Sequence, residues 1–114
     1  MVEILGTDDF EEWFLALEDK DAESVARVIG ILEIKGTTLK FPYCSDIRGS
    51  KITLRELRVQ SRGKPLRIFY AFDPIRQAVL LIGGDKSNDS RFYETMIPKA
   101  ERLWQEYLTE LEEL

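Results

Sequence analysis

Residues 52–84, ITLRELRVQSRGKPLRIFYAFDPIRQAVLLIGG, decide the fold. Side chains alternate across a strand, so a period of two marks a half-buried one. That period predicts strands over Ile52–Val59 and Leu66–Phe72, with a third over Ala78–Gly83. The first connection, Gln60–Pro65, holds Ser61, Gly63 and Pro65 and suits a hairpin. The second, Asp73-Pro74-Ile75-Arg76-Gln77, has proline at the second turn position, as a type I turn prefers. The third strand, AVLLI, is continuously apolar, which predicts a central strand covered on both faces.

Before this segment the period changes to that of a helix. Phe10, Trp13, Phe14 and Leu17 form one stripe, with Thr7 or Asp8 as the cap and an end near Glu18–Lys20. Val25, Val28, Ile29 and Leu32 mark a second helix over Asp21–Ile34, stopped by Gly36. Val2–Leu5 fits an edge strand. Residues 36–51 read as an ordered polar loop tacked down by Leu39 and Phe41. After the loop Gly84–Asp89, residues 90–113 form a last helix with Phe92, Met96, Leu103, Tyr107 and Leu111 on one face. Pro98 is expected to interrupt or kink it, and the acidic tail 109–114 to fray. The order β-α-α-β-β-β-α predicts an α+β fold: two N-terminal helices on a small twisted antiparallel sheet, with a C-terminal helix. All 114 residues are expected to form one domain.

Charge is distributed unevenly along this chain. Between Arg48 and Arg76, eight basic residues face only Glu56 and Asp73, a net charge of +6, whereas the whole chain carries −5 and the remainder therefore −11. A positive field fixed on a rigid sheet is what a polyanion-binding surface requires. Apolar residues make up 44% and charged residues 32%, a normal globular mix. No apolar run approaches the roughly 20 residues of a membrane span, and MVEILGTDDFEEWF lacks the features of a signal peptide, so a cytoplasmic location is expected. The chain contains no His and a single Cys, Cys44. That removes Ser-His-Asp catalysis, internal disulfides and most zinc sites, and makes Cys44 an inert small residue. Proton transfer must then use Lys, Arg, Tyr, Asp or Glu.

Strand alternation divides the basic residues. Leu57, Val59, Ile68, Tyr70 and Phe72 point to the helices, which leaves Glu56, Arg58 and Arg67 on the opposite face. Arg58 and Arg67 flank one hairpin and can converge. Glu56 beside them can orient a guanidinium or act as a base. Lys86 follows the central strand after Gly83 and Gly84, and Tyr93 opens the last helix within reach of the same surface. Fixed cations on a sheet suit phosphate contacts, and a nearby Lys or Tyr can move a proton. Arg48, Lys51, Arg55, Arg62, Lys64 and Arg76 are expected to add field and phosphate contacts around this centre. The competing reading is that the charges merely solvate an exposed sheet face, with Glu56–Arg58 as a structural pair. Gly83–Ser87 lacks the spacing of a nucleotide-binding P-loop, and Asp85, Asn88 and Asp89 lack that of an EF-hand. Trp13 and Trp104 read as core or interface.

The ordered set Glu56-Leu57-Arg58, Arg67-Ile68-Phe69-Tyr70, Leu80-Leu81, Gly84-Asp85-Lys86 and Tyr93 ahead of Ala100 resembles the RelE/ParE toxin superfamily, in its HigB-like, phage-derived Gp49-like branch. The resemblance covers residues 52–104. It implies a toxin of a type II toxin–antitoxin system that enters the ribosome and cleaves mRNA, a metal-independent endoribonuclease with no cofactor. It implies Arg58, Arg67, Lys86 and Tyr93 as the catalytic residues, with Glu56 in support. The implied partners are a cognate antitoxin of helix-turn-helix type, the ribosome and mRNA, and no membrane. The superfamily also holds gyrase-inhibiting ParE proteins, so a binding-only or inactive protein and a small protein-interaction module stay open.

Overall fold

A computed structural model describes residues 1–113. Its elements run β1 (Ile4–Gly6), α1 (Asp8–Leu15), α2 (Asp19–Lys35), β2 (Cys44–Asp46), β3 (Arg55–Ser61), β4 (Lys64–Phe72), β5 (Ala78–Asp85) and α3 (Phe92–Glu112). The strands form one sheet in the order β1-β5-β4-β3-β2. β1 pairs with β5 in parallel and every other pair is antiparallel, so the sheet is mixed, with the predicted edge strand as its parallel member. The α+β class stands. Among the described residues no helix is long and apolar enough to cross a membrane.

The sheet is covered on both faces, because the central strands β4 and β5 send apolar side chains both ways. Leu57, Val59, Leu66, Ile68, Tyr70 and Leu80 pack with Val25, Val28 and Leu32 of α2 and Phe10 of α1. Phe69, Ala71, Val79 and Leu81 pack on the other side with Phe92, Met96, Ala100, Leu103 and Trp104 of α3. The charged side of the sheet is therefore not an open face. It is the part of the second face left beyond the first turn of α3. α3 runs unbroken through Pro98, which lies in its second turn and leaves the Glu94 carbonyl without its helical donor.

Some boundaries differ from expectation. α1 ends at Leu15, and α2 already starts at Asp19. The predicted loop 36–51 contains the edge strand β2, and of the two residues expected to tack it to the core Leu39 is buried but Phe41 is exposed. The β3–β4 hairpin is tighter than expected: Ser61 pairs with Lys64, and Arg62 (φ 50°) and Gly63 (φ 78°) form the whole connection. Positive φ at both central residues matches the twist of the strands. Asp21 of α2 holds this turn, accepting from Ser61 Oγ at 2.7 Å and Arg62 Nη2 at 2.9 Å and pairing with Lys64. The Arg62 and Lys64 contacts hold its carboxyl well below the usual carboxylate range.

β5 carries the irregularity that matters most. Leu80 pairs with Tyr70 and Ile82 with Phe69, which leaves Leu81 as the extra residue of a bulge. Leu81 and Ile82 both lie with the α3 core. The alternation beyond them is shifted by one. Gly83 then faces α1, where a side-chain carbon would overlap the ring of Trp13, and Gly84 faces α3, where one would lie 2.9 Å from Phe92. Gly83→Ala is expected to lower stability by about 1–3 kcal/mol through overpacking. Thermal melting of the variant checks this, and an unchanged midpoint would mean that Trp13 can move aside.

Candidate active site

Three strands and one helix bring the site together. Arg58 of β3 sits directly opposite Arg67 of β4, and Arg67 directly opposite Gly84 of β5. Like charges facing each other across strands destabilise a sheet, so two adjacent arginines here call for a compensating group. Glu56, two residues before Arg58 on the same side of β3, supplies it. Its carboxylate lies 3.6 Å from Arg67 Nε and 3.9 Å from Arg58 Nη1. It also accepts hydrogen bonds from Tyr93 Oη at 2.7 Å and Ser45 Oγ at 2.8 Å.

Glu56 is 4% exposed and Arg67 is 5% exposed, so the centre of this cluster is buried and not a solvated surface. Arg67 Nη1 donates to the carbonyl of Leu66 at 3.0 Å. Arg67 Nε has no hydrogen-bond partner among the described residues. A buried donor left in that state costs free energy, and its retention calls for an explanation. Lys86 lies past the end of β5 with its Nζ 5.2 Å from the centre of the Tyr93 ring. The bulge at Leu81 sets this up, since the shifted alternation carries Lys86 to the α3 side. One carboxylate among three cations leaves the cluster positive, and the positive end of the α3 dipole adds to it through Tyr93 in the first turn.

Tyr93 has its pKa raised, first by burial and then by the adjacent Glu56 carboxylate. It is a neutral phenol that donates to Glu56, not a base. Chemically, the cluster offers a buried carboxylate that can accept a proton and three cations that can hold a phosphate through a rise in negative charge.

The family profile described as Phage derived protein Gp49-like (DUF891) matches residues 12–105. The chain belongs to the Gp49-like family. Putative toxin HigB3 of Mycobacterium tuberculosis is 41% identical over 100 residues, which cover 86% of each chain. Putative toxin HigB2 of the same organism is 35% identical over 104 residues, 89% of this chain but only 52% of that longer protein. Among solved structures, a double mutant of E. coli toxin RelE in the free state superposes with a TM-score of 0.59 at 9% identity. The match covers 83% of this chain and 94% of that one, which shows a RelE-like fold. This is therefore a HigB-like member of the Gp49-like family with a RelE-like fold, the branch that the residue resemblance implied.

The matched segment contains every member of the cluster. Of the residues singled out by sequence, the Gp49-like fold brings Glu56, Arg58, Arg67, Lys86 and Tyr93 together. The rest have other settings. Arg55 points to the other side of β3 and pairs with Asp46 at 3.2 Å. Arg62 and Lys64 are held by Asp21 at the end of the hairpin. Arg76 is exposed in the β4–β5 turn, and Arg48 and Lys51 are exposed between β2 and β3. The Lys51 amide donates to Glu101 of α3. Ser45 was missed, because its role depends on β2 pairing with β3, where it lies opposite Glu56.

Proposed function

We propose that this protein is the toxin of a type II toxin–antitoxin pair, and that it stops translation by cutting mRNA in the ribosome. One observation carries the nuclease reading: Arg67, buried and with an Nε that makes no hydrogen bond and only a 3.6 Å ion contact to Glu56, converges with Arg58 and Lys86 on the Glu56–Tyr93 pair. A phosphate oxygen is the acceptor that such a donor fits. The Gp49-like membership and the toxin names of the relatives support the biological role.

In this reading the 2′-oxygen of the substrate attacks the adjacent phosphorus, and its proton passes to the Glu56 carboxylate. Arg58 and Arg67 stabilise the extra charge on the phosphorane. The bond to the 5′-oxygen breaks, and Lys86 supplies the proton that this oxygen takes. The products are a 2′,3′-cyclic phosphate and a 5′-hydroxyl end, and no metal is called for. Tyr93 and Ser45 orient the carboxylate. Arg48, Lys51 and Arg76 would add long-range field for RNA, with Arg55, Arg62 and Lys64 contributing less because acidic partners offset them. The site of action would be the cytoplasm, and the antitoxin a helix-turn-helix protein that covers this cluster.

Induced expression is expected to arrest growth and to produce new mRNA 5′-hydroxyl ends within coding sequence, mapped by end sequencing. Growth arrest with a DNA-damage response and intact mRNA would overturn the reading in favour of a gyrase-type target.

A further inference from the structure

The large exposed aromatic rings among the described residues are Phe41 and Tyr43, 71% and 38% exposed, and both lie in the chain that leads into β2. That chain borders the site directly: the carbonyl of Tyr43 accepts from the amide of Arg58 at 2.8 Å. The guanidinium of Arg58 lies over the Phe41 ring, 5.1 Å from its centre. An unbroken line of contacts results. Phe41 meets Arg58, Arg58 meets Glu56 at 3.9 Å, Glu56 meets Tyr93 at 2.7 Å, and the Tyr93 ring meets Lys86. Two cation–aromatic pairs thus stand on either side of one carboxylate.

A phenyl ring left in water gives up the free energy of its burial, about 1.5–3 kcal/mol for a whole side chain, and this one lies beside a cation of the cluster. Arg58 covers only part of the ring. Single-stranded RNA presents anionic phosphates alternating with flat bases, and such proteins pair cations for the former with aromatic rings for the latter. An aromatic ring next to a phosphate-holding arginine fits that repeat. An apolar protein partner would gain nothing from the adjacent positive charge.

We propose that Phe41 is a stacking platform for an unpaired nucleobase next to the scissile phosphate, on the Arg58 side of the cluster. Phe41 then positions the substrate and adds no chemistry of its own. The inference rests on the nuclease reading for its substrate class. It assigns a base-binding subsite to a chain segment otherwise marked only as a connection.

The test uses the intact protein and ribosomes programmed with a short mRNA, in versions that carry an abasic nucleotide at each position around the cut. Binding and single-turnover cleavage are measured separately. Phe41→Ala is expected to bind about five- to a hundredfold more weakly, the range for losing one base–aromatic stack. Phe41→Trp should restore binding and Phe41→Leu should not. At one abasic position the wild type should fall to the level of Phe41→Ala, and the variant should fall no further. The proposal is overturned if Phe41→Ala behaves as wild type, if its loss is the same at every abasic position, or if it weakens antitoxin binding alone. A wild type that binds and cuts nothing overturns the nuclease reading, while the same binding cycle still decides Phe41. A wild type that does not bind overturns both.

Discussion

Arg67→Ala is expected to leave a folded protein that cuts mRNA about a hundred- to a thousandfold more slowly, the usual loss when one preorganised charge-stabilising donor is removed. Arg67 is the best-buried cation of the cluster, at 5% exposure, and the one whose Nε makes no hydrogen bond. Low local dielectric makes its field stronger than that of the half-exposed Arg58. The side chain emerges from the middle of the sheet, between β3 and β5, so its position is fixed by two ladders. Arg67→Lys keeps the charge but loses the planar fork, and should recover only a small part of the rate. The measurement is single-turnover cleavage on programmed ribosomes, with thermal melting as a control. A folded Arg67→Ala protein that cuts at the wild-type rate would remove Arg67 from the mechanism. Loss of toxicity together with loss of folding would instead assign Arg67 to stability, as the counter-charge of Glu56.

Much of this site was legible in the sequence because it lies on regular strands. Period-two alternation is enough to put Glu56, Arg58 and Arg67 on one side of a hairpin. The features that escaped are those that alternation cannot encode. The run Ala78–Ile82 is apolar at every position, so nothing in it marks Leu81 as the extra residue of a bulge. Yet that bulge turns Gly84 and Lys86 towards α3. β2 is three residues long, two of them polar, and an edge strand that short has no period to read. With β2 went the pairing of Ser45 to Glu56 and the approach of Tyr43 and Phe41 to Arg58. Alternation put Glu56, Arg58 and Arg67 on the second face but did not say how much of that face they occupy. Phe69 and Ala71 share that face, and they are what α3 covers. The basic stretch was also less uniform than its charge suggested. Arg62 and Lys64 answer a single buried carboxylate, Asp21, which lies forty residues or so earlier in the chain and looks like an ordinary first-turn acid there.

Glu56→Gln should slow cleavage about a hundred- to ten-thousandfold, the usual contribution of a general base. Glutamine keeps the shape, and its oxygen can still accept from Tyr93 or Ser45, so the change isolates the negative charge. Two roles for Glu56 then give different results. If the carboxylate takes the 2′-proton, the wild-type rate should rise with pH along an acid limb, and that limb should vanish in Glu56→Gln. If Glu56 only holds Arg58 and Arg67 in place, the limb should persist in the variant at a lower rate. Tyr93 helps to separate them. Burial and the Glu56 carboxylate raise its pKa above the usual value of about 10, so it stays protonated through the working range and contributes no limb of its own there. In Glu56→Gln that upward push from the carboxylate is gone, and the Tyr93 pKa should fall back towards the ordinary tyrosine value, visible as a phenolate absorbance transition at lower pH than in the wild type. Tyr93→Phe removes one donor to the carboxylate and leaves the charge. It should cost less than Glu56→Gln and should keep the acid limb, because the carboxylate is still there. An acid limb that survives in Glu56→Gln would place the base elsewhere in the complex, and leave this cluster as a binding site for the phosphate alone.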